Sequence, residues 1–133
     1  MARGSVPVRA RRVMAAVVSV LWMALIFRLS ALPGGAVPGR FGSLGHFAVY
    51  AVLGAVLLLA IDPALASWRA AALAVAIASV YGITDEFHQR FVPGRVSDPV
   101  DWVVDTAGAA AAVAVLLWLA KRRRDADAGT RSA

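Results

Sequence analysis

The chain has 133 residues, 60% of them hydrophobic, with a mean hydropathy of +0.71. A soluble domain of this size could not cover so much apolar surface, so the composition points to one compact membrane domain. The net charge of +6 comes from basic residues gathered at the two ends, without the basic stripe interleaved with aromatics that nucleic-acid binding uses, and the absence of cysteine excludes disulfides and thiolate metal sites.

Residues 1–12 form a basic N-terminus carrying Arg3, Arg9, Arg11 and Arg12. The first apolar run, Val13 to Phe27, is short against the roughly 20 residues of a spanning helix. Arg28 can lengthen it by snorkelling to the headgroups. A cleaved signal peptide is the rival reading, since Gly34-Gly35-Ala36 supplies small residues after the apolar run. Packing argues against cleavage. Three short, Ala-rich helices with buried polar groups need the first as a partner.

Pro33 to Gly42 holds two prolines and four glycines and is expected to be a loop. The second helix is expected over Leu44–Ile61, with His46 and Tyr50 near its start. Asp62-Pro63 ends it, because the residue before a proline is biased away from the helix. Trp68 and Arg69 mark an interface ahead of a third helix, Ala70 to about Gln89. Pro93-Gly94 suits a type II turn. Asp98 reads as an N-cap with Pro99 at the first helical position. The fourth helix then runs to Ala120, against Lys121-Arg122-Arg123-Arg124, and a polar, disordered segment is expected from Asp125 to Ala133. The domain organisation is thus a basic N-terminus over 1–12, a membrane domain over 13–120 and a basic, polar tail over 121–133.

The predicted fold is all-α, a polytopic bundle of four transmembrane helices. An even number of spans puts both termini on one side. The positive-inside rule makes that side the cytoplasm, with Arg69 also inside and with Arg28, Arg40, Arg90 and Arg95 outside. The expected location is the inner (plasma) membrane, spanned several times. Trp68 and Trp118 would sit at the inner interface and Trp102 at the outer, with Trp22 inside the first span.

On this topology the ionisable residues converge at the outer end. Five of the eight acidic residues lie between Tyr81 and Gly108: Asp85, Glu86, Asp98, Asp101 and Asp105. His46 and Tyr50, four apart, share a helix face. Tyr81, Asp85 and His88 share another, and Asp98, Asp101, Asp105 and Gly108 form one stripe. Each has a structural reading too. Asp101 in a first turn suits the helix dipole. Tyr50 can be a core residue with a satisfied hydroxyl. Gln89 can be a packing residue. Asp85 and Glu86 can form a clamp with Arg95, whose planar fork suits carboxylates. Asp105 is harder to dismiss. It lies about 9 Å deeper than Pro99, where a carboxylate costs about 2.5–3.5 kcal/mol unless paired, protonated or solvated. His46 could hydrogen-bond to it or to Asp101. Asp85, Glu86, His88, His46 and Asp101 carry metal-type donors, but no closed zinc pattern is present, and neither metal nor cofactor is assigned. No phosphate loop, nucleophile elbow or HExxH motif occurs.

These residues resemble the VanZ-like family of small bacterial membrane proteins. The resemblance rests on His46-Phe47 with Tyr50, then Asp85-Glu86-Phe87-His88-Gln89, Phe91-Val92-Pro93-Gly94-Arg95, and Asp98, Asp101, Asp105 and Gly108. It covers roughly Ser43 to Ala112. Two positions depart from the pattern: Ser43 stands where many members carry a basic residue, and Asp105 where many carry Asn. The resemblance implies a link to low-level teicoplanin resistance in the founding member, and no established reaction.

Three functions follow as expectations. The first is a pocket of His46, Tyr50, Asp85, Glu86, His88, Gln89, Arg95, Asp101 and Asp105 that binds a membrane lipid or envelope precursor. The second is an intramembrane hydrolase or transferase, with Glu86 or His88 as general base and Asp101 or Asp105 orienting it. The third is an accessory subunit whose polar stripe only joins helices.

Overall fold

The computed structural model describes residues 6–33 and 39–131, with the backbone alone at 39–41 and 131. Expectations for Arg3 and Gly34-Gly35-Ala36 lie outside the described residues, as do those for the side chains of Arg40 and Arg131. Among the described residues there are four helices and no strand: α1 (Val8–Ser30), α2 (Gly39–Ile61), α3 (Trp68–Gln89) and α4 (Pro99–Arg131). Each contains a stretch long and apolar enough to cross a membrane. The chain is an all-α membrane protein.

All four helices exceed their expected bounds: α2 starts at Gly39, inside the expected Pro33–Gly42 loop and ahead of Leu44, and α3 starts at Trp68 rather than Ala70. α1 has 23 residues, about 34 Å at 1.5 Å per residue, long enough for a ~30 Å hydrocarbon core. Its added first turn carries Arg9, Arg11 and Arg12 and its last turn Arg28, which reach the headgroups by snorkelling. Its extra turn begins directly after Pro7, which has no N–H to lose there. α4 does not stop at Ala120. It continues through the basic cluster to Arg131, so the segment expected to be disordered is helical as far as that residue. Ala, Lys and Arg are good helix formers, and no proline or glycine interrupts them before Gly129.

α2 lies at the centre. It packs most extensively on α4, then on α1, and also on α3; α1 meets α3 only lightly. Two glycines set the α2–α4 distance. A Cβ on Gly54 would sit 2.8 Å from the Cα of Ala109, and one on Gly108 would run into the carbonyl oxygen of Phe47. On α3 the side facing the bundle is alanine: Ala70, Ala71, Ala74 and Ala78 are buried. Small residues let backbones approach where lipid removes the hydrophobic drive between helices. Val20 and Leu21 on α1, Val80 and Ile83 on α3 and Val103 and Val115 on α4 are exposed, as lipid-facing residues should be.

Cross-helix hydrogen bonds add orientation. The Trp22 indole donates to the carbonyl of Val49 at 2.8 Å and the Tyr81 hydroxyl to that of Met23 at 2.6 Å. Trp102, expected as an interface anchor, is half-buried and donates to Ser79 Oγ at 3.0 Å. Trp68 and Trp118 are exposed at the other end, and Arg122 lies 4.3 Å above the Trp118 ring.

The turns explain how the two ends differ. At the α2–α3 turn the Asp62 carboxylate accepts from the amides of Ala64, Ala66 and Ser67 at 3.1, 2.9 and 2.8 Å. Burial alone would raise its pKa. The three amides and the charge of Arg12 outweigh that and hold it below its ordinary value. Arg12 also donates to the carbonyl of Ala60, and Arg124 to those of Ala64 and Leu65. The first turns of α1 and the basic extension of α4 therefore both meet the α2–α3 end of the bundle. At the opposite end Val92-Pro93-Gly94-Arg95 forms the expected turn, with Gly94 at φ 73° and the Arg95 amide 3.1 Å from the Val92 carbonyl. Asp98 caps α4 by accepting from Val100 at 2.9 Å.

Candidate functional site

The site lies at the end away from the termini. Helical periodicity places His46 and Tyr50 on the α2 face toward α4 and α3, and the Asp101–Asp105 step brings both carboxylates to the same face of α4. His46 Nδ1 is 2.9 Å from Asp105 Oδ1, and its Nε2 is 3.9 Å from Asp101 Oδ2. Asp105 is fully buried, and its second oxygen has no partner. Gly82 of α3 faces that oxygen; a Cβ there would sit 3.3 Å from it. Asp101 is held from the other side, where Ser43 Oγ donates to Oδ1 at 3.2 Å. Ser43, one of the two departures noted in the sequence, thus positions a carboxylate.

Glu86 completes this group from α3. Its Oε2 accepts from the Asp98 amide at 2.8 Å, which ties the end of α3 to the start of α4. Its Oε1 is buried without a partner. One donor atom each from His46, Glu86 and Asp101 lies within 4.8 Å of the others.

A cavity of about 210 Å³ opens beside the group, between α1, α2, α3 and Arg95. Ile26, Leu29, Leu32 and Val49 form its apolar wall. His46, Tyr50, Asp85, Gln89 and Arg95 form the polar one. Gln89 Nε2 donates to Asp85 Oδ2 at 3.2 Å, while Asp85 Oδ1 and the Tyr50 hydroxyl are buried without partners. Tyr50 is a core residue, but its hydroxyl is not satisfied as the structural reading required.

Two expected pairings differ. Arg95 does not clamp Asp85 or Glu86. It donates to the carbonyls of Leu32 at 3.2 Å and Leu29 at 3.3 Å. Leu29 is in the last turn of α1 and Leu32 just past it, at the negative end of the helix dipole, so these carbonyls compete well for a guanidinium. His88 turns toward α1, with Nδ1 3.2 Å from Ser30 Oγ and its ring 4.2 Å from that of Phe27. The structure thus gathers His46, Glu86, Asp101 and Asp105 into one group and Tyr50, Asp85, Gln89 and Arg95 around the cavity, with His46 common to both. His88 is apart from the carboxylates of α4. Ser30 and Gly82 were not singled out in the sequence. An isolated glycine within a helical pattern is a signal of close approach that could have found Gly82.

The family model described as VanZ/LLP1 matches residues 6–120. The chain belongs to the VanZ/LLP1 family. No curated protein and no solved structure matches it. The VanZ/LLP1 match takes in α1, α2, α3, the whole polar end and the membrane-length part of α4. It stops where the basic extension of α4 begins.

Proposed function

We propose that this VanZ/LLP1 chain binds the headgroup of an envelope lipid or lipid-linked cell-wall precursor in the cavity between α1, α2 and α3. One observation carries the reading. The cavity joins an apolar wall to a polar one in which the Tyr50 hydroxyl and an Asp85 oxygen are buried without partners. That is the surface an amphiphile presents in reverse: acyl or prenyl carbon against Ile26 and Leu29, hydroxyl or ammonium donors against Asp85 and Tyr50. Arg95 stands at the rim for an anionic group. Arg9, Arg11, Arg12 and the Lys121–Arg124 cluster gather at the terminal end, which by the positive-inside rule supports a reading with both termini in the cytoplasm and the cavity at the outer face of the plasma membrane. A contribution to glycopeptide resistance belongs to this reading through the family's founding member.

The test is native mass spectrometry of the purified protein, with an ammonium-bearing phospholipid (phosphatidylethanolamine) and a lipid-linked sugar, rich in hydroxyls, as probes. Wild type should retain one of them through detergent exchange, and Asp85→Asn with Tyr50→Phe should release it. Equal retention by wild type and the double variant sinks the reading. Teicoplanin susceptibility of a deletion host, complemented by either form at matched abundance, then asks whether binding matters to the drug.

A second reading, an intramembrane hydrolase or transferase, is favoured by the Asp105–His46 pair. A carboxylate that holds Nδ1 leaves Nε2 available as a base, directed toward Asp101. Release of phosphate or carboxylate from a lipid-linked substrate by wild type, and not by His46→Gln, would establish it.

A further inference from the structure

We infer that His46, Glu86 and Asp101 bind a divalent transition-metal ion of the Zn²⁺ or Mn²⁺ class. The inference stands apart from the lipid reading and holds whether or not the cavity takes an amphiphile. The three residues come from three helices, and no two are at ligand spacing in the sequence, which is why the sequence assigns no metal. The fold brings one donor atom of each to within 4.8 Å of the others. Ligands sharing a tetrahedral ion at ~2.1 Å stand about 3.4 Å apart. His46 Nε2 and Asp101 Oδ2, at 3.9 Å, are too far for a hydrogen bond and need to close by only half an ångström around an ion.

Proximity of acidic groups alone would prove little. A second observation points to an ion. Glu86 is 6% exposed, and its Oε1 is buried with no partner while Oε2 is occupied by the Asp98 amide. A buried carboxylate oxygen beside an imidazole nitrogen and a second carboxylate calls for positive charge. The surrounding groups fit as well. Metal-binding histidines commonly present their other ring nitrogen to a carboxylate, and Asp105 takes Nδ1 of His46 at 2.9 Å. Ser43 fixes Asp101 through the oxygen turned away from His46. Each of the three residues is thus held through one atom. One imidazole with two carboxylates suits Zn²⁺ or Mn²⁺ better than Ca²⁺, which takes six to eight oxygens. Three protein ligands leave coordination positions open, and His46 also lines the cavity.

The experiment titrates Mn²⁺ and Zn²⁺ into the full-length protein in nanodiscs, after chelator treatment. It uses calorimetry and, for Mn²⁺, electron paramagnetic resonance. Expected are one ion per chain, a loss of affinity of at least tenfold in Glu86→Gln and in Asp101→Asn, and a loss of ~10–100-fold in the positioning variant Asp105→Asn. Those variants could fail to fold, so the deciding measurement needs none of them. The Mn²⁺ spectrum of wild type should carry nitrogen coupling from one imidazole, and His88→Gln should keep it. No saturable binding at millimolar ion, no nitrogen coupling, or coupling lost in His88→Gln each overturns the inference.

Discussion

Gly108→Ala should loosen the bundle and open the site together. In the interior of a helix the change from glycine to alanine by itself stabilises by about 1 kcal/mol. Here the new methyl would run into the carbonyl of Phe47, the residue after His46. Carbon and oxygen need roughly 3.5 Å between them, so α2 must retreat from α4 by about 1 Å at this level. Overpacking of this kind costs about 1–3 kcal/mol. The same retreat stretches the 2.9 Å contact between His46 Nδ1 and Asp105 Oδ1 past hydrogen-bond range. A bond to a charged partner contributes about 1.5–3 kcal/mol. Net destabilisation is then about 1.5–5 kcal/mol.

Two other glycines supply the comparison. A Cβ on Gly54 would meet Ala109 at 2.8 Å, well along the helix from the His46–Asp105 pair, so Gly54→Ala carries the packing cost alone, about 0–2 kcal/mol after the propensity gain. Gly45 has nothing within 4 Å, so Gly45→Ala should stabilise by about 0.5–1 kcal/mol. Unfolding in detergent, followed by helical circular dichroism, should rank Gly45→Ala above wild type, then Gly54→Ala, then Gly108→Ala. A Gly108→Ala protein as stable as Gly45→Ala would refute the close approach and its coupling to His46.

Three further outcomes are expected. Tyr50→Phe should leave stability unchanged or raise it by up to about 1 kcal/mol, because the hydroxyl it removes is buried without a partner; a loss above that in the same unfolding assay would mean the hydroxyl is bonded. Arg95→Ala should destabilise by about 1–3 kcal/mol through the carbonyls of Leu29 and Leu32, and Arg95→Lys should recover only part of this, since an ammonium lacks the fork that reaches both; full recovery by lysine would argue against that geometry. Asp62 has a folded-state pKa below its ordinary 3.8, so its stabilising contribution is present above that value and fades as pH falls through the lower one. Unfolding midpoints measured from pH 5 downward should fall less steeply in Asp62→Asn than in wild type, and parallel slopes would exclude the effect.

Much of this architecture is legible in the sequence because helices advertise themselves by period and length. The four spans, the type II turn at Pro93-Gly94 and the gathering of His46, Asp101 and Asp105 at one end of the bundle all follow from it. Helix ends are less legible. α4 continues to Arg131 because hydropathy marks where lipid stops, whereas helix propensity continues through Lys121–Arg124 and Ala126. Partners across helices are the least legible. A face can be read from spacing, but which neighbour it meets depends on packing order. Charge pairs Arg95 with Asp85, and the carbonyls of Leu29 and Leu32 at the end of α1 take it instead. His88 shares a face with Asp85, yet that face meets α1 through Ser30 and Phe27.

The two ends of the bundle spend their polar groups differently, and the contrast bears on function. At the terminal end Asp62 uses both oxygens on three amides, and Arg12 and Arg124 find carbonyls at the α2–α3 end of the bundle. At the other end, among the described residues, the Tyr50 hydroxyl and one oxygen each of Asp85, Glu86 and Asp105 are buried without partners. A buried polar atom left unmet costs about 1–3 kcal/mol, a sizeable share of a domain's stability. A stripe that served only to join helices would be more stable with amides or leucines at these positions. Three of the four atoms are carboxylate oxygens, so what offsets the cost must bring positive charge or donors. The cation at His46, Glu86 and Asp101 would meet Glu86 and lie beside Asp105, and a headgroup in the cavity would meet Asp85 and Tyr50. His46 borders both, so occupation of one site should alter affinity at the other, by the same factor in each direction.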